Sequence, residues 1–203
     1  QALDIAIQID NKKQIVACHK QLYYLCREFK RMMNERGDEQ ASTLFFRESL
    51  LHEMYFSEKP RLAELTVRYE ALRCDIMQQY YMNKDYDNVI RIATSLDIHD
   101  DADPNASCLV YYYKAQAYVK LENYPMAKEA FFRELELRKK YLGWEEEDTI
   151  LACQNLGVLH SFCNEREEAL ACFREAYGHE VKKNGEDSEM AQKLLQYISV
   201  VES

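Results

Sequence analysis

Residues 108–185 decide the fold, because this stretch contains two near copies of one pattern. The first copy is CLVYYYKAQAYVKLENYPMAKEAFFRELELRKKYLG (108–143), and the second is ILACQNLGVLHSFCNEREEALACFREAYGHEVKKNG (150–185). Matching residues lie 42 positions apart, as in the pairs Ala115/Gly157, Tyr118/His160, Ala127/Ala169, Phe131/Phe173 and Gly143/Gly185. A period of this length is typical of a repeat array, in which each copy is one supersecondary unit.

The spacing within each copy predicts two helices. A small residue precedes a ring by three positions, a polar turn follows, and a second small residue precedes a phenylalanine by four. Residues three or four apart lie on one face of a helix, so the small residues mark close helix crossings and the rings fill the space beside them. Asn123 and Pro125 are typical of a helix start, and Asn164 to Glu167 has the spacing of a capping box with Asn164 as the cap.

These positions resemble the tetratricopeptide repeat family. Ala115, Tyr118, Ala127 and Phe131 match its small–aromatic–small–Phe pattern, and the second copy matches it at Gly157, Ala169, Phe173 and Ala176. The pair Leu156-Gly157, the preceding Asn155, the links Leu142-Gly143 and Asn184-Gly185 and the long period resemble the kinesin-light-chain type of repeat. Lys114, Glu134 and His160 depart from the family pattern. The resemblance implies an all-α fold of tandem helical hairpins around a concave groove that binds a peptide or a partner protein.

The same resemblance assigns the groove-facing positions, because the first helix of each pair lines the concave side in this family. By register, these positions are Cys74, Gln78, Tyr81, Tyr112, Gln116, Val119, Gln154, Asn155, Val158 and Ser161. Asn155 is the most specific, since an amide side chain can both donate to and accept from a bound backbone. The family's chaperone-binding members hold a C-terminal carboxylate in a basic clamp. Gln, Cys, Tyr and Val occupy the equivalent positions here, so we do not expect a carboxylate clamp of this kind. Two alternatives stay open: that these are ordinary solvated helix faces, and that the outer face is the binding surface.

The N-terminal half carries a weaker version of the pattern. Asp85-Tyr86 parallels Asn123-Tyr124 at a distance of 38 residues, which puts Tyr80 and Val89 in phase with the clear copies. Hydrophobic periodicity also predicts helices at 1–9, 13–35, 40–56, 60–82 and from 86 to about 96, with a polar loop at 97–105. We therefore expect a single array over 1–203, with degenerate repeats at 1–105, two clear repeats at 106–185 and a capping or next-repeat helix at 186–203. The opening resembles the second helix of a repeat, so we expect the chain to be a fragment of a longer protein.

Composition and motifs argue against several classes of function. The formal net charge is −9, without a basic run, which argues against nucleic acid as the partner. No apolar stretch approaches the ~18 residues that cross a membrane. The seven cysteines are scattered, as reduced thiols of a cytoplasmic or nuclear protein would be. His52-Glu53 lacks the second His of a zinc helix motif, and the loop at Asp101, Asp103 and Asn105 lacks the turn glycine and the Glu of a calcium site. We expect neither a catalytic residue, nor a metal, nor a cofactor.

The sequence thus favours a non-catalytic module that binds a peptide or a partner protein. Two other functions stay open at this stage. One is a structural scaffold subunit of a large complex, and the long helices predicted at 13–35 and 40–56 support that alternative. The other is a regulatory domain attached to a larger protein, which follows from the fragment-like start.

Overall fold

A computed structural model describes residues 12–53, 56, 69–94 and 103–203, and these residues are all-α. The chain divides into two compact units, 1–99 and 100–203. The helix predicted at 1–9, the first part of the helix predicted at 60–82 and most of the loop predicted at 97–105 lie outside the described residues. The single array and its internal boundaries stay a prediction.

In the described part of the first unit, four helices form two antiparallel pairs. They are α1 (Lys12–Glu35), α2 (Glu39–Glu53), α3 (Tyr69–Met82) and α4 (Tyr86–Thr94). Helix α1 packs against α2, α3 packs against α4, and α2 packs against α3. One side of α1 stays exposed, whereas residues 48–53 of α2 are all buried.

In the second unit, each helix packs against the next one along the chain. The helices are α5 (Pro104–Lys120), α6 (Tyr124–Tyr141), α7 (Glu147–Phe162), α8 (Arg166–Asn184) and α9 (Glu189–Glu202). The hairpins α5–α6 and α7–α8 are the two predicted copies, and α9 packs on α8 as the predicted additional helix. None of the helices in the described ranges is both long enough and apolar enough to cross a bilayer.

One backbone turn joins the helices of all four described hairpins. Its central residue has a positive φ of 58–74° and is Gly37, Lys84, Glu122 or Asn164. In each case the next backbone N–H donates to a carbonyl five residues earlier, as from Asn123 to Tyr118 at 2.9 Å. The last three turns are 38 and then 42 residues apart, which confirms the two offsets seen in the sequence.

One predicted helix start is confirmed and the other is wrong. The Asn123 side chain accepts a hydrogen bond from the backbone N–H of Met126 at the start of α6. Asn164 does not cap α8, because its backbone is in the left-handed region with φ of 62°. Glu165 occupies the cap position and makes no side-chain cap hydrogen bond. Asn tolerates left-handed backbone better than most residues, and the turn uses that property instead.

The small residues of the repeat lie in the core of the second unit, as predicted. Ala115, Ala127 and Ala169 are fully buried, and Phe173 is 1% exposed. A Cβ atom added at Gly157 would lie 2.8 Å from Phe173 Cε1, so any side chain there would force the Phe173 ring or α8 to shift. The crossing of these two helices therefore favours glycine at this position.

Candidate partner-binding groove

Helices α5 and α7 are the first helices of the two clear hairpins, and each presents one row of side chains to a common surface. On α5 the row is Tyr112, Gln116 and Val119, and on α7 it is Asn155, Val158 and Phe162. Spacings of three and four residues place each row on one helix face. Helix α6 packs against both α5 and α7 and forms the floor between the two rows.

One end of this surface holds an apolar pocket of about 220 Å³. Val158 is 41% exposed and Phe162 is 68% exposed, so both side chains are accessible to a partner. The Phe162 ring lies 5.1 Å from the Tyr124 ring, centroid to centroid. The pocket is lined by Gln116, Val119, Tyr124, Phe131, Asn155, Val158, Leu159 and Phe162. Its size and lining suit an apolar side chain.

Beside the apolar pocket lies a polar cavity of about 370 Å³. Asn155 lines both, so the two spaces adjoin at this residue. The cavity carries both signs of charge and several hydrogen-bonding groups. Its lining residues are Leu109, Tyr112, Glu134, Arg138, Asp148, Leu151, Ala152, Gln154, Asn155 and Lys193.

A buried ion pair forms one wall of the polar cavity. Arg138 Nε donates to Glu134 Oε1 at 2.8 Å, one helical turn away, and the Glu134 residue is 1% exposed. Burial raises the pKa of Glu134 to about 7, because desolvation of the carboxylate outweighs the lowering effect of Arg138. Glu134 stands where the repeat pattern has alanine, and this departure is what brings a charge to the wall of the cavity.

Two buried acceptors in the cavity wall have no hydrogen-bond partner among the residues that the structure describes. They are Glu134 Oε2 and Gln154 Oε1. A buried polar atom without a partner costs roughly 1–3 kcal/mol, so both atoms favour an incoming N–H or O–H donor. Together with the amide of Asn155, they give the cavity the capacity to hold hydrogen-bonding groups of a bound chain.

The structure brings most of the sequence-predicted positions of the second unit together. Gln116, Val119, Asn155 and Val158 line the apolar pocket, and Tyr112 and Gln154 line the polar cavity. Gln154 is only 5% exposed, so it contributes through its carbonyl oxygen rather than through surface area. Ser161 is half-buried and lines neither space.

The three predicted positions of the first unit are not among the residues that line these two spaces. Cys74 is 7% exposed, which leaves little of its side chain for a partner. Gln78 is exposed and lines a different cavity of about 720 Å³, bordered by residues of α2 and α3 and the turns beside them. Tyr81 is half-buried, with its ring 5.5 Å from that of Tyr86. A role for these three residues in one groove with the α7 positions stays a prediction.

Sequence reasoning missed several residues of this surface. Among them, Tyr124 and Phe162 line the apolar pocket, and Glu134 and Arg138 form the buried ion pair of the polar cavity. Phe162 lies seven residues after Asn155, a spacing that could have placed it on the same face. Glu134 and Arg138 belong to α6, and the resemblance drew attention only to the first helices of the pairs.

The comparisons with known proteins bear on the fold. No protein-family model matches the chain, and no curated protein matches it. Among solved structures, the crystal structure of BtubC (BKLC) from P. vanneervenii is similar, with a TM-score of 0.56 and 13% sequence identity. The similarity covers 98% of this chain and 78% of that one. The chain has a tetratricopeptide-like helical repeat fold, and at this identity the similarity shows the fold alone.

Proposed function

We propose that this chain is a non-catalytic interaction module whose α5–α7 groove binds an extended peptide segment of a partner protein. The observation that carries the proposal is the pair of adjoining cavities that share Asn155, one apolar and one polar. An extended peptide places side chains on alternating sides and exposes its backbone amides and carbonyls between them. The groove matches that alternation, because its apolar pocket adjoins the amide of Asn155 and a cavity with two unpaired acceptors.

The helical repeat fold supports the same proposal. Repeat arrays expose long surfaces of parallel helices, and such surfaces suit protein or peptide partners. We further propose that the chain belongs to the tetratricopeptide repeat family, with the kinesin-light-chain type of spacing in its second unit. The residues that support this are the small and aromatic positions at the 42-residue offset and Asn155 before Leu156-Gly157.

A direct test uses peptides selected from a displayed random library on the wild-type chain. The affinity of the selected peptides is then measured by calorimetry for wild type, Asn155→Ala and Phe162→Ala. Each substitution removes a groove contact worth roughly 1.4 kcal/mol or more, so we expect Kd to rise about tenfold or more.

Phe132→Ala is the matched control. Phe132 is 54% exposed, comparable with Phe162 at 68%, but it lines a cavity on another side of α6, with Lys128, His160 and Glu165. Kd for the selected peptides should therefore stay within about twofold of wild type. Equal losses from Phe132→Ala and Phe162→Ala, or none from Asn155→Ala, would argue against the groove.

A second candidate function is a scaffold subunit that packs permanently against other subunits. The observation in its favour is an exposed apolar flank of α1, where Leu25 and Phe29, four residues apart, are 52% and 42% exposed. Exposed apolar side chains on one long helix suit a stable protein interface. Partner capture that is abolished by Leu25→Ser/Phe29→Ser and unaffected by Asn155→Ala would favour this function over the first.

A further inference from the structure

A cluster of metal-ligating side chains lies buried between α1 and α2 of the first unit. Cys26 comes from α1, and Glu48 and His52 come from α2, one helical turn apart. All three residues are buried, with exposures of 5%, 2% and 0%. The Cys26 Sγ atom, a Glu48 carboxylate oxygen and a His52 ring nitrogen all lie within 4.8 Å of one another.

The carboxylate of Glu48 is held in a fixed orientation. Tyr80 donates its hydroxyl to Oε2 at 2.5 Å, and Arg91 Nη2 donates to Oε1, also at 2.5 Å. Both carboxylate oxygens of Glu48 are therefore oriented by neighbouring donors, as those of metal-binding carboxylates usually are.

The ring of His52 is oriented in the same way. Its Nδ1 lies 2.9 Å from Nδ1 of His19, which requires one of the two nitrogens to donate and the other to accept. When His52 is the donor, its Nε2 carries a lone pair. That Nε2 atom is buried, makes no hydrogen bond to any residue in the described ranges and lies 3.5 Å from Glu48 Oε1.

A lone pair that faces a carboxylate oxygen in a buried site is unfavourable unless a positive charge lies between them. Either a proton on Nε2 or a bound cation supplies that charge. The Cys26 Sγ atom beside the same two atoms favours the cation, because a thiolate is a strong metal ligand.

From this geometry, we infer that Cys26, Glu48 and His52 bind a Zn²⁺ ion that joins α1 to α2. Sulfur, imidazole and carboxylate ligands together suit Zn²⁺, whereas Mg²⁺ and Ca²⁺ prefer oxygen alone. Ligand atoms around tetrahedral Zn²⁺ are roughly 3.5 Å apart, so small side-chain rotations bring the three onto one ion. On binding, the Cys26 thiol releases its proton to solvent and its sulfur forms the Zn–S bond.

The charges are compatible with such a site. The thiolate and the carboxylate together neutralise Zn²⁺, and the remaining positive charge is that of Arg91. The Arg91 side chain is 27% exposed, so it is not fully removed from solvent. Three protein ligands leave a fourth coordination position to a water molecule. The Nδ1–H···Nδ1 hydrogen bond to His19 would orient the ligating ring from behind.

Cobalt substitution tests the site on the full chain. Co²⁺ replaces Zn²⁺ in tetrahedral sites, and a Co²⁺–thiolate bond adds a near-ultraviolet charge-transfer band to the visible spectrum. We expect one Co²⁺ per chain, a charge-transfer band in wild type, its loss in Cys26→Ser and displacement of Co²⁺ by Zn²⁺. Cys18→Ser is the matched control, because Cys18 is also a buried thiol on α1 but lies outside the cluster, and its spectrum should equal that of wild type.

Thermal melting of the wild-type chain tests the zinc site even when Cys26→Ser does not fold. Wild type should melt at a higher temperature in excess Zn²⁺ than in chelator, and equal Mg²⁺ should give no such rise. A folded wild-type chain that binds neither Co²⁺ nor Zn²⁺ overturns the site. So does a charge-transfer band that survives Cys26→Ser. Because the cluster lies in the first unit, neither result bears on peptide binding by the α5–α7 groove.

Discussion

Replacing Gly157 with alanine tests the helix crossing on which the repeat depends. Gly157 lies on α7 against Phe173 of α8. A new Cβ atom would lie 2.8 Å from Phe173 Cε1, 2.9 Å from Phe173 Cδ1 and 3.0 Å from Cys172 Cβ. Cβ atoms do not tolerate such distances, so the Phe173 ring or the whole of α8 must move.

The expected magnitude is the difference between two opposing effects. Overpacking a well-packed core costs about 1–3 kcal/mol. Alanine is also a better helix former than glycine, by about 1 kcal/mol at a helix interior. Phe173 has little freedom to yield, because it is 1% exposed and its ring stacks on Tyr197 at 5.2 Å. We therefore expect Gly157→Ala to lower the free energy of unfolding by up to about 2 kcal/mol.

Gly178→Ala isolates the crossing from helix propensity. Gly178 lies inside α8, and a Cβ atom added there would meet nothing within 4 Å. This substitution should raise the free energy of unfolding by about 0.5–1 kcal/mol. Since both variants gain the same helix propensity, the difference between them measures the overpacking alone, about 1–3 kcal/mol.

Urea unfolding followed by tryptophan fluorescence measures both variants. Trp144 is the single tryptophan of the sequence and lies in the second unit, where its ring stacks on His179 at 4.0 Å. Equal effects of Gly157→Ala and Gly178→Ala would refute the close approach of α7 and α8. A further check is Gly157→Ala in a Phe173→Leu background, where the missing ring atoms should make the alanine nearly neutral.

Three further predictions concern buried polar groups. The pKa of Glu134 is about 7 in the folded chain, against an ordinary value of 4.5. The contribution of Glu134 therefore lowers the free energy of unfolding of the second unit as the pH rises from 4.5 through 7. Glu134→Gln should flatten that decline in urea titrations at successive pH values. Arg138→Met should cost about 3 kcal/mol at pH 8, where Glu134 is a carboxylate, and clearly less at pH 5, where it is protonated; an equal cost at both pH values would contradict the ion pair. Tyr80→Phe leaves Glu48 Oε2 buried without its donor and should destabilise α2 by about 1–3 kcal/mol, measured by amide hydrogen exchange; unchanged α2 protection would contradict it.

The sequence was sufficient to predict the helical repeat, because the features that produce the repeat are local. Helix crossings need small residues at fixed spacing, and a turn needs the same backbone geometry each time, so both leave a period in the chain. The positive φ values of Glu122 and Asn164, 42 residues apart, follow that period. The turn at Gly37 has the same geometry but lies out of phase with the later repeats, which is why the sequence indicated only a helix end there.

The candidate sites depend on contacts between residues that no short motif joins. Asn155 could be identified from its repeat position, but the polar cavity beside it depends on Glu134, a departure from the pattern on the neighbouring helix. His52 lacked a zinc motif in sequence because its companions Glu48 and Cys26 lie one turn back and on another helix. The small residues and turns of the hairpins recur at a fixed period along the chain, and so the sequence by itself determined the hairpins. Which side chains meet across two helices depends on how those helices pack, and only the tertiary structure decided that.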